Sequence, residues 1–187
     1  MGKRLAVLLM VVLLWGCSAT EENRMDEALA FRAGLQGAGG CTFAGEITAD
    51  YGDQVYTCAV TCTTDGEGNL TFCLTAPETI AGITGTVSAG GGALTFDGTA
   101  LAFSPLADGM VSPVAAPYVV AESWRQGYIT AAGPAEDGLR LTVDTVWADS
   151  ALTVDTWLEK NIPVFAEVCY NGQRILTIHI SEFQYNT

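Results

Sequence analysis

Apolar and polar residues follow three rhythms along the 187-residue chain. The first is an unbroken apolar run over residues 5–15. Eleven residues are too few for a bilayer-spanning helix, which needs about 20. The second rhythm is helical. Across residues 21–36, Met25, Ala28, Leu29, Phe31 and Leu35 share one broad side, with Arg32 at its margin. Ser18 or Thr20 stands ready to cap that helix, acids crowd its first turns, and a Gly-rich stretch from Gly34 to Gly40 ends it. The third rhythm has period two. Residues 42–49, 54–64 and 70–75 are rich in Thr, Val, Tyr and Phe and are separated by Asp/Gly turns, which predicts a β-meander. Pro77 to Gly82 interrupts it, and shorter strands follow at 83–88, 93–96 and 99–103.

Ser112-Pro113 then reads as an N-cap and first helical position. Val114, Tyr118, Ala121 and Trp124 recur at helical spacing, Pro117 means either an irregular first turn or a helix that starts there, and Gly127 closes the segment. Strands at 139–147, 152–158, 164–170 and 174–183 complete the chain, with Asn171-Gly172 as a two-residue type I′ turn. No Gly/Ser-rich or Pro-rich linker intervenes. The pattern predicts one mainly β, α+β domain of about ten antiparallel strands with two helices.

Strand pairing can be extended from Asn171-Gly172. Val168 then faces Ile175, Leu158 faces Val164, and Trp147 faces Leu152. One face carries Leu141, Val143, Trp147, Leu152, Val154, Leu158, Val164, Val168 and Ile175, and the other carries Val146, Trp157, Phe165, Leu176, Ile178 and Ile180. Two apolar faces require a cover on each: a helix, a partner or an apolar ligand. Phe31 and Trp124 on the helices could line such a pocket beside Trp157, Phe165, Leu176 and Ile178, and ordinary core packing accounts for them at least as well. The same register sets Asp144 against Asp155 and Asp155 beside Glu167, a row that could hold a hard cation, although a solvated stripe or a shifted register accounts for it better.

Charge and cysteine content narrow the setting. The net charge is -13, and without Lys3 and Arg4 six basic side chains face 21 acids, giving -15. Such a surface excludes nucleic-acid binding by charge and attachment to anionic lipid through basic residues. Lys3 and Arg4 before the apolar run describe the start of a signal peptide. Leu14-Trp15-Gly16-Cys17-Ser18 resembles the lipobox of bacterial lipoproteins. That resemblance implies cleavage after Gly16, acylation of Cys17, a tether of residues 17–20 and a domain over 21–187 on the extracytoplasmic face. Cys41, Cys58, Cys62, Cys73 and Cys169 remain, an odd number, so at least one thiol stays unpaired. Cys58 and Cys62 read best as small buried hydrophobes. Gly90-Gly-Gly92 has neither the lysine nor the helix of a phosphate loop, and His179 has no partners for a triad. No cofactor and no catalysis are expected.

The stretch Thr153-Val-Asp-Thr-Trp157-Leu-Glu-Lys-Asn-Ile-Pro163-Val-Phe-Ala-Glu167 is similar to the strand–turn–strand of LolA/LolB-like lipoprotein-carrier half-barrels, a superfamily that includes germination-type and mycobacterial lipid-binding lipoproteins. Gly172, Phe183, Pro77-Glu-Thr-Ile-Ala-Gly82 and Leu94-Thr-Phe-Asp-Gly98 extend the resemblance over most of residues 25–183. It implies a single curved antiparallel sheet, an incomplete barrel with helices on its concave side. It also implies either binding of an acyl chain or the apolar segment of an envelope protein there, or an assembly role, as partner or homodimer, with the cavity filled by the protein's own helices.

Overall fold

The chain's two meanders meet through their outermost strands. In the computed structural model, which describes residues 18–103, 106–107, 110–147 and 150–186, β1 (Cys41–Asp50) pairs antiparallel with β13 (Gln173–Tyr185). From β1 the sheet runs outward through β2 (Val55–Thr64), β3 (Leu70–Ala76), β4 (Thr84–Ser88), β5 (Gly91–Phe96) and β6 (Thr99–Phe103). From β13 it runs through β12 (Ile162–Tyr170), β11 (Ser150–Glu159), β10 (Gly138–Trp147) and β9 (Tyr128–Ala135). The result is one open 11-stranded antiparallel sheet with β6 and β9 at opposite edges. A small hairpin of β7 (Leu106–Ala107) and β8 (Met110–Val111) lies outside it. The segment expected to be a signal peptide, and Cys17, fall outside the described residues.

That strand order forces the mid-chain segment to travel from one edge of the sheet to the other. It does so across the inner face, as a 3-10 turn (Pro113–Ala115) and helix α2 (Ala116–Arg125). Helix α2 is therefore buried on almost every side, from Ala116 and Pro117 to Ser123 and Trp124. Ser112 precedes it in extended conformation without the expected side-chain cap; its carbonyl instead accepts the Ala115 N–H at 2.9 Å. The N-terminal helix α1 (Ser18–Gly37) packs over α2 and the β9–β10 end, burying Ala28, Phe31 and Leu35.

Two expected pairings are corrected by β-bulges. Asn171 and Gly172 take φ of 50° and 77°, as a type I′ turn requires, and Tyr170 faces Gln173. Beyond Cys169–Arg174, however, Ile175 is left unpaired and Val168 faces Leu176. The extra residue flips the rest of β13, so Leu176, Ile178 and Ile180 join the inner core while His179 points out. An unbulged ladder would have buried Thr177 and His179 instead. In the β11–β12 pair, Val164 is the extra residue: Trp157 faces Phe165 and Leu158 faces Pro163. The turn there is Lys160-Asn161, both at positive φ, so Pro163 lies inside the strand. On β10–β11, Trp147 faces Ser150, and Leu152 faces Thr145. Strand β9, absent from the sequence expectation, contains Gly133-Pro134, which reads locally as a turn; an edge strand tolerates a proline there.

Candidate ligand face and its surroundings

The inner face is a cluster built around Trp124. Its ring sits 6.0 Å from Phe31 of α1, 5.6 Å from Phe43 of β1 and 6.0 Å from Phe183 of β13, each in an edge-on arrangement. The indole Nε1–H donates to the Thr156 hydroxyl at 2.9 Å, which satisfies the one polar atom of a ring with no exposure. Arg32 of α1 closes this contact. Its guanidinium donates to the carbonyls of Ser123, Trp124 and Gly127 at 3.0–3.1 Å. These oxygens lie at the end of α2, where helix carbonyls lack intrahelical partners and a cation is favoured. Gln36 adds a bond to the Arg125 carbonyl at 2.9 Å. Helix α1 is thus tied to the C-terminus of α2 by directional bonds as well as apolar contact.

The six candidate ligand-facing residues divide between the two faces. Phe31, Trp124, Leu176 and Ile178 are packed in the core, each less than 2% exposed. Trp157 and Phe165 lie half-buried on the outer face, their rings 5.2 Å apart, with the His179 ring 4.7 Å from Phe165 and tilted 47° to it. The bulge at Ile175 separates the two groups.

Among the described residues, cover over the inner face thins out toward β5 and β6. Two cross-strand rows of the inner face run outward, Phe72–Gly85–Leu94–Leu101 and Leu70–Val87–Gly92–Phe103. Burial falls along them: Leu70 and Val87 are fully buried, Leu94 and Phe103 half-buried, and Leu101 is 61% exposed. Phe96, on the same side of the hairpin, is 56% exposed. The signal was present in the sequence as period-two Leu94, Phe96, Leu101 and Phe103, but nothing local showed that the helices stop short of them.

The carboxylates do not form the expected row. Asp144 faces Thr153, whose hydroxyl donates to it at 2.9 Å, while Asp155 faces Thr142. Register alone therefore separates Asp144 from Asp155. Asp155, 5% exposed, accepts from Arg140 Nη2 at 2.7 Å and Nε at 3.2 Å and from the Thr142 hydroxyl at 2.5 Å. Glu167 does face Asp155, but it is paired with Arg174 at 2.9 Å.

All five described cysteines are unpaired thiols. Burial pushes the thiols of Cys41 and Cys62 above their ordinary pKa, and raises Cys58 and Cys169 in the same direction. Only the thiolate is nucleophilic. At pH 8 a polar thiol reagent should leave Cys41 and Cys62 unmodified in the folded domain, whereas all five react in denaturant. Rapid labelling of Cys62 in the native protein, located by peptide mass spectrometry, would contradict the burial described.

No family model matches the sequence, and no curated protein matches it. Solved structures do match the fold. A domain from Vibrio parahaemolyticus assigned to outer membrane lipoprotein sorting superposes with a TM-score of 0.52 at 11% identity, covering 89% of this chain and 93% of that one. A LolA superfamily protein from Nitrosomonas europaea gives 0.45 at 10% identity, covering 86% and 94%. The Mycobacterium tuberculosis lipoprotein LppX gives 0.42 at 12% identity, covering 88% and 95%. The similarity is one of fold: an open antiparallel half-barrel with helices on one face.

Proposed function

We propose that this chain is a non-enzymatic extracytoplasmic lipoprotein, anchored through Cys17, that binds an acyl chain or the apolar segment of another envelope protein. The carrying observation is the exposed inner face at β5–β6, where a buried apolar row continues into Leu101 and Phe96. The ligand lies there and not around Trp124, because α1 and α2 already occupy that part of the sheet. Apolar surface of this kind, continuous with the core, marks a binding face more often than a stray exposed side chain does. Anchoring through Cys17 would hold the face close to the source of acyl chains, since α1 begins at Ser18.

Lipid extraction of the purified protein followed by mass spectrometry tests this reading directly, scored on lipid beyond the Cys17 acyl chains. Leu101→Asp should reduce binding of a fatty acid or hydrophobic dye by about tenfold or more, since ligand burial of a leucine is worth roughly 1.5–3 kcal/mol. The melting temperature should barely change, because Leu101 is mostly exposed. A protein that carries no such lipid and binds no dye would favour a second reading, an assembly lipoprotein whose inner face is filled by its own helices. The three bonds from Arg32 and the complete burial of Phe31 and Trp124 support that alternative.

A further inference from the structure

The outer face holds a separate cavity of about 270 Å³ at the turn-bearing ends of β9 to β12. Its floor is the cross-strand pair Trp157 and Phe165, with rings tilted 56° to one another. Val164 lines it as well. Consecutive strand residues ordinarily point to opposite faces, and it is the β11–β12 bulge that sends Val164 and Phe165 to the same cavity. Gly138 permits the second wall. A Cβ on Gly138 would lie 2.0 Å from the Leu158 carbonyl oxygen, so only glycine lets the β9–β10 turn approach β11 this closely. That approach brings Glu136 and Asp137 to the opening, and Glu159 completes the lining.

The cavity therefore has an aromatic and aliphatic floor with three exposed carboxylates at the rim. No lysine or arginine lines it, and none of the three acids forms an ion pair among the described residues. Arg140 lies 5.1 Å over the Trp157 ring, but its guanidinium is committed to Asp155 by two hydrogen bonds. Its position occupies one face of the indole, the flat surface on which a sugar ring would stack. What remains suits a slender apolar stem ending in a positive charge.

We propose that this cavity receives the side chain of a lysine carried on a basic segment of a partner protein. The four methylenes lie against Trp157, Phe165 and Val164, and the ammonium stops among Glu136, Asp137 and Glu159. The chain's net charge of -13 draws such a segment in and repels acidic competitors.

The test uses the full chain in nonionic detergent with ¹⁵N-labelled tryptophan; the Trp157 indole N–H signal is identified by its loss in Trp157→Phe. A blocked Ala-Lys-Ala peptide should shift that signal saturably, with a Kd of roughly tens of millimolar, the range set by a small apolar contact and exposed ion pairs. The matching norleucine peptide and N-acetylglucosamine should leave it unmoved. Glu136→Gln with Glu159→Gln should weaken the lysine peptide by roughly fivefold. Both side chains are exposed, so the variant should fold and melt like the parent. Equal responses to lysine and norleucine, a response to the sugar instead, or undiminished lysine binding in the double variant would each overturn the proposal. A Trp157 signal that stays still throughout the lysine titration would do the same.

Discussion

Replacing Trp124 with alanine should lower the unfolding free energy by about 3–5 kcal/mol, the range for truncating a buried aromatic residue. Native domains have only about 5–15 kcal/mol in total, so the variant should be partly unfolded at 37 °C. The effect should be large because the ring contacts both helix and sheet: Phe31 on α1, Phe43 and Phe183 on the two strands where the meanders join. The backbone carbonyl of the same residue accepts from Arg32, so loss of the side chain also loosens the seat of α1. Trp124→Phe separates packing from polarity. It keeps most of the apolar contact but leaves Thr156, 1% exposed, without the indole N–H donor, and should cost about 1–3 kcal/mol. Urea unfolding of lipid-stripped protein measures both variants, since a ligand bound only to the folded state would mask part of the loss. A Trp124→Ala protein as stable as the parent would mean that α2 does not rest on the sheet.

The parts legible in the sequence were those with local causes. Strands β1 to β3 showed themselves through alternating Thr, Val and Phe between Asp/Gly turns, and Asn171-Gly172 fixed its own turn type and first pair. The bulges had no local cause. Ile175 is skipped because the rows beyond it must place Leu176, Ile178 and Ile180 against the core, and β1 has made room for this. Gly45 lies so close to Ile178 that a Cβ there would meet its Cγ2 at 3.0 Å. That information is on a strand more than 130 residues away in sequence. That slip divides the candidate site, parting Trp157 and Phe165 from Leu176 and Ile178, while the Trp147–Ser150 register of a separate hairpin parts Asp144 from Asp155. A period-two pattern identifies which residues share a face only as far as the next bulge.

The proposed anchor rests on one atom, the Cys17 sulfur. Cys17→Ser should abolish incorporation of labelled palmitate and leave the chain about 16 residues longer, by the cleavage rule that the lipobox resemblance implies. The hydroxyl that replaces the thiol lacks the nucleophile that receives the diacylglyceryl group. Among the described residues no helix is long and apolar enough to cross a membrane, and cleavage after Gly16 would leave a net charge of -15, which repels anionic headgroups. Several acyl chains on one residue hold a protein firmly where one chain is marginal, so the parent should partition into the detergent phase of a cloud-point extraction. The variant should stay with its uncut apolar segment and show no label. Helix α1 is described from Ser18, the residue next to the proposed anchor, so mature parent protein should also shield residues near α1 from a protease added to intact membranes. A Cys17→Ser chain that is cut and acylated like the parent would remove the lipobox from the account.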